Sequence, residues 1–278
     1  MVTALIILLV LILTVCCLWV LMQRCRRGHE AWPKLRQYRY AHRGYHNKPT
    51  VPENSMAAFR AAAERGWGAE LDVHLMKDGN LAVIHDSSLK RTADADVRIE
   101  DLTKADLANY YLEESFEHIP LLEHVLAVFE DKTPLIIELK PENGNHAALS
   151  EAVAKMLDKY PGDYCIESFD PRVVAWFRKN RPNVCRGQLS ENFLDAAHTG
   201  LPRYMEFLLT NLLTNVTACP DFVAYKFQDR NGFGVRLCRK LWKPVEVAWT
   251  IRKPEDLKTA EAEGKVVIFE QFDPEAGE

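Results

Sequence analysis

Eight short runs rich in Val, Ile, Phe and Tyr recur along the chain and constrain its fold more than any other feature. Gly, Pro, Asp or Asn bound most of the runs, and stretches with apolar residues at helical spacing separate them, as expected for buried parallel strands joined by helices. The predicted strands are 38–44, 68–76, 134–140, 163–170, 184–190, 221–227, 245–250 and 265–271. This alternation predicts an α/β fold, a (β/α)8 (TIM) barrel, with a doubly wound open sheet as the alternative.

Two regions depart from strict alternation. A hairpin-like unit and a polar stretch, at about 78–119, follow the second strand and are interpreted as a small insertion. After the eighth strand, the sequence up to residue 278 is too short for an eighth helix. We therefore expect a helix around residues 30–38 to take the place of the eighth helix beside the barrel.

The first 22 residues predict a transmembrane helix. Residues 2–22 are uncharged and mostly Leu, Ile and Val, and as a helix they would extend about 31 Å, enough to cross a bilayer. A cleaved signal peptide is the alternative, but the run has neither a positively charged start nor a small-residue cleavage site. Arg24, Arg26 and Arg27 follow directly, and this positive cluster predicts a single-pass protein of the cell membrane whose body is cytoplasmic.

The sequence thus divides into an anchor with a basic collar, 1–27, and a barrel, 28–278. The whole chain has a formal net charge of −4, and the part after residue 40 holds 29 basic and 38 acidic residues, a net of −9. An acidic body argues against a nucleic-acid partner. The seven cysteines show no CxxC spacing, so we expect free thiols rather than a zinc site or a disulfide framework.

Acidic side chains collect at the ends of the second and third strands. Glu70 and Asp72 are two residues apart on one strand and therefore point to the same side, and Glu138 ends the next strand. Three carboxylates this close repel one another unless a cation lies among them, and oxygen ligands favour Mg²⁺ or Ca²⁺ over zinc. The alternative is a salt-bridge cluster with Arg43 and Lys140.

Two histidines accompany these carboxylates. His42 ends the first strand, and His85 ends the hairpin after the second. Two imidazoles beside a divalent cation suit the cleavage of a phosphodiester, because one can remove a proton from the nucleophile while the other protonates the leaving oxygen. Arg43 and Lys140 would offset charge on the phosphoryl oxygens. The sequence leaves open which histidine is the acid and which the base.

An ordered set of motifs between residues 38 and 271 resembles the glycerophosphodiester phosphodiesterase family. The motifs are His42-Arg43-Gly44, Pro52-Glu53-Asn54-Ser55, Glu70-Leu71-Asp72-Val73, His85-Asp86, Glu138-Leu139-Lys140 and Trp249-Thr250. The resemblance implies a (β/α)8 barrel that hydrolyses glycerophosphodiesters to sn-glycerol 3-phosphate and an alcohol, with a divalent cation, Mg²⁺ or Ca²⁺, as cofactor.

Position by position, the resemblance implies a role for each residue of these motifs. Glu70, Asp72 and Glu138 match the metal ligands of the family, and His42 and His85 match its acid and base. Arg43 and Lys140 match its phosphate-contacting cations, and Trp249 is expected to wall the glycerol pocket. Asn54 is expected to support the metal site, and Glu53 to cap the helix that follows it.

Three other functions fit the same sequence. The apolar anchor suits a lysophospholipase D that acts on lysolipids in the bilayer. A relative of the phospholipase C type would share the two histidines and form a cyclic phosphate. A catalytically silent, membrane-tethered scaffold is the third, although a competent residue type occupies each of the site positions.

Overall fold

The structure, a computed structural model, describes residues 1–47, 50–195 and 199–276. Its helices and strands, in chain order, are α1 (Val2–Met22), α2 (Trp32–Leu35), β1 (Tyr40–Ala41), α3 (Met56–Glu64), β2 (Gly68–Leu75), β3 (Leu81–Val83), α4 (Lys90–Ala93), α5 (Leu122–Phe129), β4 (Leu135–Leu139), α6 (His146–Leu157), β5 (Tyr164–Ser168), α7 (Pro171–Asn180), β6 (Arg186–Ser190), α8 (Arg203–Thr210), α9 (Asn215–Ala218), β7 (Phe222–Lys226), α10 (Phe233–Trp242), β8 (Val245–Ile251), α11 (Pro254–Ala262) and β9 (Val266–Phe269).

Eight of these strands form a closed parallel barrel. The hydrogen-bonded order is β1-β9-β8-β7-β6-β5-β4-β2, and β1 also pairs with β2, which closes the cylinder. The predicted (β/α)8 barrel is confirmed, and the open sheet is wrong. β3 is the exception, because it pairs antiparallel with β2.

Both faces of the barrel strands are buried, which explains their nearly continuous apolar sequences. On β2, for example, Leu71 and Val73 pack outward into the apolar layer between strands and helices. Glu70 and Asp72 alternate with them and therefore point into the barrel. Apolar residues such as Ile136 fill the lower part of the interior, at the N-terminal ends of the strands. The upper part is left to polar side chains.

The short helix α2 closes the N-terminal end of the barrel. Trp32 and Leu35 are buried in the cluster that fills the lower interior, and the rings of Trp32 and Phe222 meet edge to face at 5.0 Å. The Tyr40 hydroxyl donates to the Leu35 carbonyl at 2.8 Å. The expectation that this helix takes the place of the eighth outer helix is wrong, because its Trp side chain is buried within the barrel end.

The segment between β2 and α5 forms a small subdomain at the edge of the barrel. It contains β3, α4 and two 3-10 turns, Ile99–Asp101 and Asp106–Asn109. Its own apolar cluster consists of Met76, Ala82, Ile84, Leu89, Ile99, Leu102, Leu107, Leu112, Ile119 and Leu121. The subdomain carries His85 towards the C-terminal ends of the strands.

The helix α1 is long and apolar enough to cross a membrane, a property that signal sequences share. It projects from the barrel, and most of its side chains are exposed. Its last turn contacts the barrel, where the Trp242 indole donates to the Val20 carbonyl at 2.8 Å. The seven cysteines are all free thiols, as expected.

Candidate active site

The three predicted metal ligands meet in the upper part of the barrel. Asp72 on β2 and Glu138 on β4 are partners in register, and Glu70 lies two residues before Asp72. All three are buried, and one oxygen of each lies within 4.8 Å of the others. Burial raises the pKa of Glu70 and of Glu138, and the charge of Asp72 adds to the effect at both. Such a cluster favours a bound cation.

Two positively charged side chains border the carboxylates. Lys140 Nζ lies 2.9 Å from a Glu138 oxygen and 3.3 Å from an Asp72 oxygen. Arg43 Nε lies 3.2 Å from the other Asp72 oxygen. Burial alone would raise the pKa of Asp72, but Lys140 and the other positive neighbours hold it well below its usual range. The salt-bridge cluster considered as an alternative to a metal site is thus part of the same arrangement.

His42 lies directly after β1 and is held by Glu270, which directly follows the neighbouring strand β9. Its Nδ1 is hydrogen-bonded to Glu270 Oε2, and its Nε2 lies 3.9 Å from Glu70 Oε2. Burial lowers the pKa of His42 to about 4, with the hydrogen bond to Glu270 opposing this and the charge of Arg43 adding to it. His42 is therefore neutral near pH 7.

His85 has a similar carboxylate on its Nδ1. The distance from this nitrogen to Asp86 Oδ1 is 2.6 Å, and Arg91 Nε donates to the second Asp86 oxygen at 2.5 Å. The buried His74 lies behind, with Nδ1 2.7 Å from Glu100 Oε1 and Nε2 3.1 Å from the His85 carbonyl. His74 therefore positions the loop that carries His85.

Glu53 links the two histidine-bearing segments and does not cap a helix. Its Oε1 accepts from Arg43 at 2.7 Å and from Arg91 at 2.6 Å. The cap of α3 is Ser55, whose hydroxyl accepts the Ala58 N–H at 3.1 Å. The expectation of a capping role for Glu53 is wrong, because a residue two positions further along supplies the cap.

The turn after β1 brings backbone and amide groups to the carboxylates. Arg43 has a φ of 55°, and its N–H donates to Glu70 at 3.1 Å. Gly44 follows with a φ of 77°, and a Cβ there would lie 2.8 Å from the Ala58 backbone, so the turn requires glycine. The Asn54 amide donates to Asp72 Oδ2 at 2.9 Å, which fits the supporting role expected for it.

An aromatic wall lies beside these charges. Trp249, half-buried on β8, meets Phe169 edge to face at 5.5 Å, and Lys140 Nζ lies 5.8 Å from the centre of the Phe169 ring. Beyond Phe169 is a cavity of about 440 Å³. Its apolar lining includes Phe193, Leu201, Tyr204, Met205 and Leu209.

Two site residues, Glu270 and Arg252, were not among the predictions of catalytic or binding residues. Glu270 follows β9 and Arg252 follows β8, and Arg252 Nε donates to Glu270 Oε1 at 2.6 Å. Glu167 on β5 is the register partner of Glu138. The signal that would have found Glu270 and Arg252 is their common position as charged residues at or directly after the ends of predicted strands.

The donor set fits a hard divalent cation. It consists of carboxylate oxygens alone, the ligands that Mg²⁺ and Ca²⁺ prefer. Glu167 adds a buried oxygen, Oε2, that has no hydrogen-bond partner among the described residues. Burial, with Glu138 and Asp72 adding to it, raises the pKa of Glu167 well above its usual value. A cation in this place would relieve the repulsion among all four groups.

The barrel thus brings together two histidines, each hydrogen-bonded to a carboxylate, and a carboxylate cluster, which are the groups that metal-assisted cleavage of a phosphodiester requires. Comparison with known proteins makes the class specific. The sequence profile of the Glycerophosphoryl diester phosphodiesterase family matches residues 42–270, and the chain belongs to this family. The resemblance and the enzyme class predicted from the sequence are confirmed.

Individual relatives agree with this assignment. A glycerophosphodiester phosphodiesterase of Bacillus altitudinis is 34% identical over 170 residues, which cover 57% of this chain and 67% of the relative. One of Caldanaerobacter subterraneus subsp. tengcongensis is 37% identical over 159 residues, which cover 54% and 65%. The chain thus matches about two thirds of the length of these relatives.

A solved structure shows the same fold. It is that of an Oleispira antarctica phosphodiesterase in complex with the product sn-glycerol-3-phosphate. Its TM-score to this chain is 0.68 at 22% identity, and the match covers 84% of this chain and 92% of the other.

Proposed function

We propose that this protein hydrolyses glycerophosphodiesters to sn-glycerol 3-phosphate and an alcohol. The observation that carries the proposal is the pairing of His42 with Glu270 and of His85 with Asp86 beside the carboxylate cluster. A carboxylate on Nδ1 holds the proton there and leaves Nε2 of each ring to accept or donate one. Two such imidazoles supply the base and the acid that the reaction needs.

Glu70, Asp72 and Glu138 are the proposed ligands of a divalent cation, Mg²⁺ or Ca²⁺, with Glu167 close by. When bound, the cation would supply positive charge that stabilises the phosphoryl oxygens. Arg43 and Lys140 would hold the same phosphate, since both side chains already border the cluster. Trp249 would form one side of the pocket where the glycerol group binds.

His42 is the better candidate for the base. Burial lowers its pKa to about 4, so the ring is neutral near pH 7, and the hydrogen bond of Nδ1 to Glu270 leaves Nε2 as the nitrogen that accepts a proton. His85 would then protonate the leaving oxygen. The nucleophile is water for direct hydrolysis, or a hydroxyl of the substrate if a cyclic phosphate forms first, and trapping or excluding a cyclic glycerophosphate separates these routes.

A second substrate class, lysophospholipids, is favoured by the apolar cavity beyond Phe169. A lysolipid carries the same phosphodiester with one hydrocarbon chain, and the cavity offers an apolar lining next to the aromatic wall. The lysophospholipase D reaction would need no residue beyond those already described.

We also propose that α1 anchors the protein in the cell membrane with the barrel in the cytoplasm. The length and hydropathy of the helix support the anchor. Arg24, Arg26 and Arg27 on the barrel side of the helix support the orientation.

The test is an assay of the full chain in vesicles for glycerol 3-phosphate release from glycerophosphocholine and from lysophosphatidylcholine. We expect EDTA to stop the release and either Mg²⁺ or Ca²⁺ to restore it. The variants His42→Ala and His85→Ala should each lose about 10²- to 10⁴-fold in rate. His124→Ala, an exposed histidine on α5, is the matched control. No release by the wild type from either substrate would instead support the silent scaffold, and wild-type rates in both site variants would contradict the roles proposed for the two histidines.

A further inference from the structure

Three large side chains project into solvent from one side of the barrel. Tyr204 and Phe207 lie on α8, and Phe233 begins α10; they are 66%, 41% and 70% exposed. Leu201, before α8, is also exposed. We refer to these four residues as the aromatic patch. Exposed aromatic residues grouped in this way usually mark a surface that contacts a partner.

The aromatic patch is continuous with the apolar helix. The ring of Trp19 lies 5.6 Å from that of Phe207 and 6.0 Å from that of Phe233, both in edge contacts. Trp19 is three residues before the end of α1, so it lies about 4.5 Å from that end along the axis. An indole in this position matches the depth at which Trp marks a membrane interface.

A buried glutamine fixes α1 relative to the barrel. The Gln23 side chain, which follows the helix, is fully buried and donates to the carbonyls of Asn211 and Gly234, each at 2.8 Å. These two acceptors lie directly after α8 and inside α10, the helices that carry the patch. The helix and the aromatic patch are therefore held as one surface.

The connection also shows which end of the barrel lies near the helix. α10 follows β7, so Phe233 lies at the end of the barrel where the strands finish and the candidate active site lies. From Gln23 the chain runs to the opposite end, where Arg26 N–H donates to the Pro220 carbonyl ahead of β7. The side chains of Trp19 and Gln23 thus meet the barrel at its active-site end, while the Val20 carbonyl accepts from Trp242 at the other end of α10.

We propose that the aromatic patch lies in the lipid–water interface of a bilayer and brings the mouth of the active site to the membrane surface. The proposal rests on the membrane anchoring proposed above. We assign lipid rather than a second copy of the chain as the material that covers the aromatic patch. The patch lies level with the end of α1, and the other side chains of α1 would face lipid. Arg236, exposed one turn after Phe233, would meet the headgroups.

The test uses a fluorescent label on the full chain in vesicles of phosphatidylcholine and phosphatidylglycerol. Cys16→Ala and Cys17→Ala remove the exposed thiols, and Tyr204→Cys or Phe233→Cys receives the label NBD. Lys155→Cys, an exposed position in the last turn of α6, is the control because it lies at the other end of the barrel. Quenching is measured with a lipid-borne nitroxide near the headgroup and with aqueous iodide.

We expect the nitroxide lipid to quench both patch positions about two-fold or more, since interfacial side chains enter about 5–10 Å into the headgroup boundary. Iodide should quench the control and spare the patch. Equal iodide quenching at the patch and the control would overturn the proposal. Protection from iodide without quenching by the nitroxide would also overturn it, because a second chain or another protein would then cover the patch.

The labelled Phe233→Cys protein, whose label lies outside the cavity beyond Phe169, is assayed with glycerophosphocholine, which is soluble in water. Quenching by lipid without hydrolysis would contradict the proposed function and leave the surface intact. Hydrolysis without quenching by lipid would contradict the surface and leave the function intact. The two proposals therefore fail separately.

Discussion

The proton-accepting capacity of His42 depends on a side chain 228 positions away in the sequence. Glu270 accepts the Nδ1 proton, and Arg252 donates to its other carboxylate oxygen. Burial raises the pKa of Glu270, but the hydrogen bond from His42, the nearby ring of His46 and the charge of Arg252 lower it far more. Glu270 thus stays ionised and fixes the tautomer of His42, which makes it a positioning residue.

Glu270→Gln should therefore lower kcat by about 10- to 100-fold and leave KM within about two-fold of the wild type, the usual range for a side chain that orients a functional histidine. Separate kcat and KM values for glycerophosphocholine check this. The matched control is Glu255→Gln, an exposed position on α11 that should change neither value. A rise in KM at unchanged kcat would mean that Glu270 acts on binding instead.

The low pKa of His42 predicts its protonation state. A histidine with a pKa of about 4 is neutral from pH 8 down to about 5, whereas an ordinary histidine is half protonated near pH 6.5. Side-chain NMR of the full chain with ¹⁵N-labelled histidine, with His42→Gln to assign the signal, should show a neutral ring over that range. A midpoint near 6.5 would contradict the effect of burial.

The lowered pKa of His42 also makes the free energy of unfolding depend on pH. The folded-state pKa is below the unfolded value of about 6.5, so the unfolded chain binds more protons between these values. The contribution of neutral His42 to the free energy of unfolding is complete above pH 6.5 and is lost as the pH falls towards 4.

Among the elements, the short helix α2 contributes more to the core than its length would suggest. It has four residues, yet Trp32 is 5% exposed and closes the lower end of the barrel. Trp32→Ala should lower the free energy of unfolding by about 3–5 kcal/mol because it leaves a large cavity. Lys34→Ala in the same helix removes only a surface pair with Asp163 and should leave the free energy of unfolding nearly unchanged.

Denaturant unfolding of the full chain in detergent measures both changes. The folded fraction of Trp32→Ala should keep its kcat for glycerophosphocholine, since α2 lies at the end of the barrel away from the candidate active site. A variant as stable as the wild type would show that α2 does not contribute to the core.

The positions of the strands could be predicted because burial on both faces leaves a strong sequence pattern. The residues at which the strands begin and end could not be predicted in the same way. The first strand was predicted as 38–44 but pairs only at Tyr40–Ala41, because the turn with Arg43 at positive φ begins at once. The helix α8 likewise ends at Thr210 although apolar residues continue to Leu213, and Leu212 beyond it has a φ of 57°. Local backbone conformations of this kind leave little trace in apolar periodicity.

The same distinction applies to the candidate active site, where some residues could be predicted from the sequence and others could not. The carboxylates and histidines were predictable because chemistry-bearing residues at strand ends stand out in an apolar pattern. The pair of His42 and Glu270 was not, because it requires β1 and β9 to meet when the barrel closes. The position of α2 was not predictable either, since only the closed barrel creates the opening that Trp32 fills.

At the scale of the whole molecule, the basic collar both contacts the barrel and is expected to orient α1 in the membrane, and the sequence alone does not reveal the first of these. Arg26 is bidentate to Asp221 beside β7, and Arg27 donates to the carbonyls of Leu241 and Trp242 at the end of α10. These contacts join the collar to the barrel. The same positive charges are expected to set the orientation of α1 in the membrane.

This orientation gives the final prediction. With Arg24, Arg26 and Arg27 retained on the inner side, a fluorescent protein fused after residue 278 should fluoresce in bacterial cells, and alkaline phosphatase at the same place should be inactive. The matched control adds lysines ahead of Val2 and replaces Arg24 and Arg27 by Gln, while Arg26 stays on Asp221. That variant should shift the population towards active phosphatase because the positive charge is then greater at the other end of the helix. An active phosphatase on the unaltered protein would place the barrel outside and contradict the assignment.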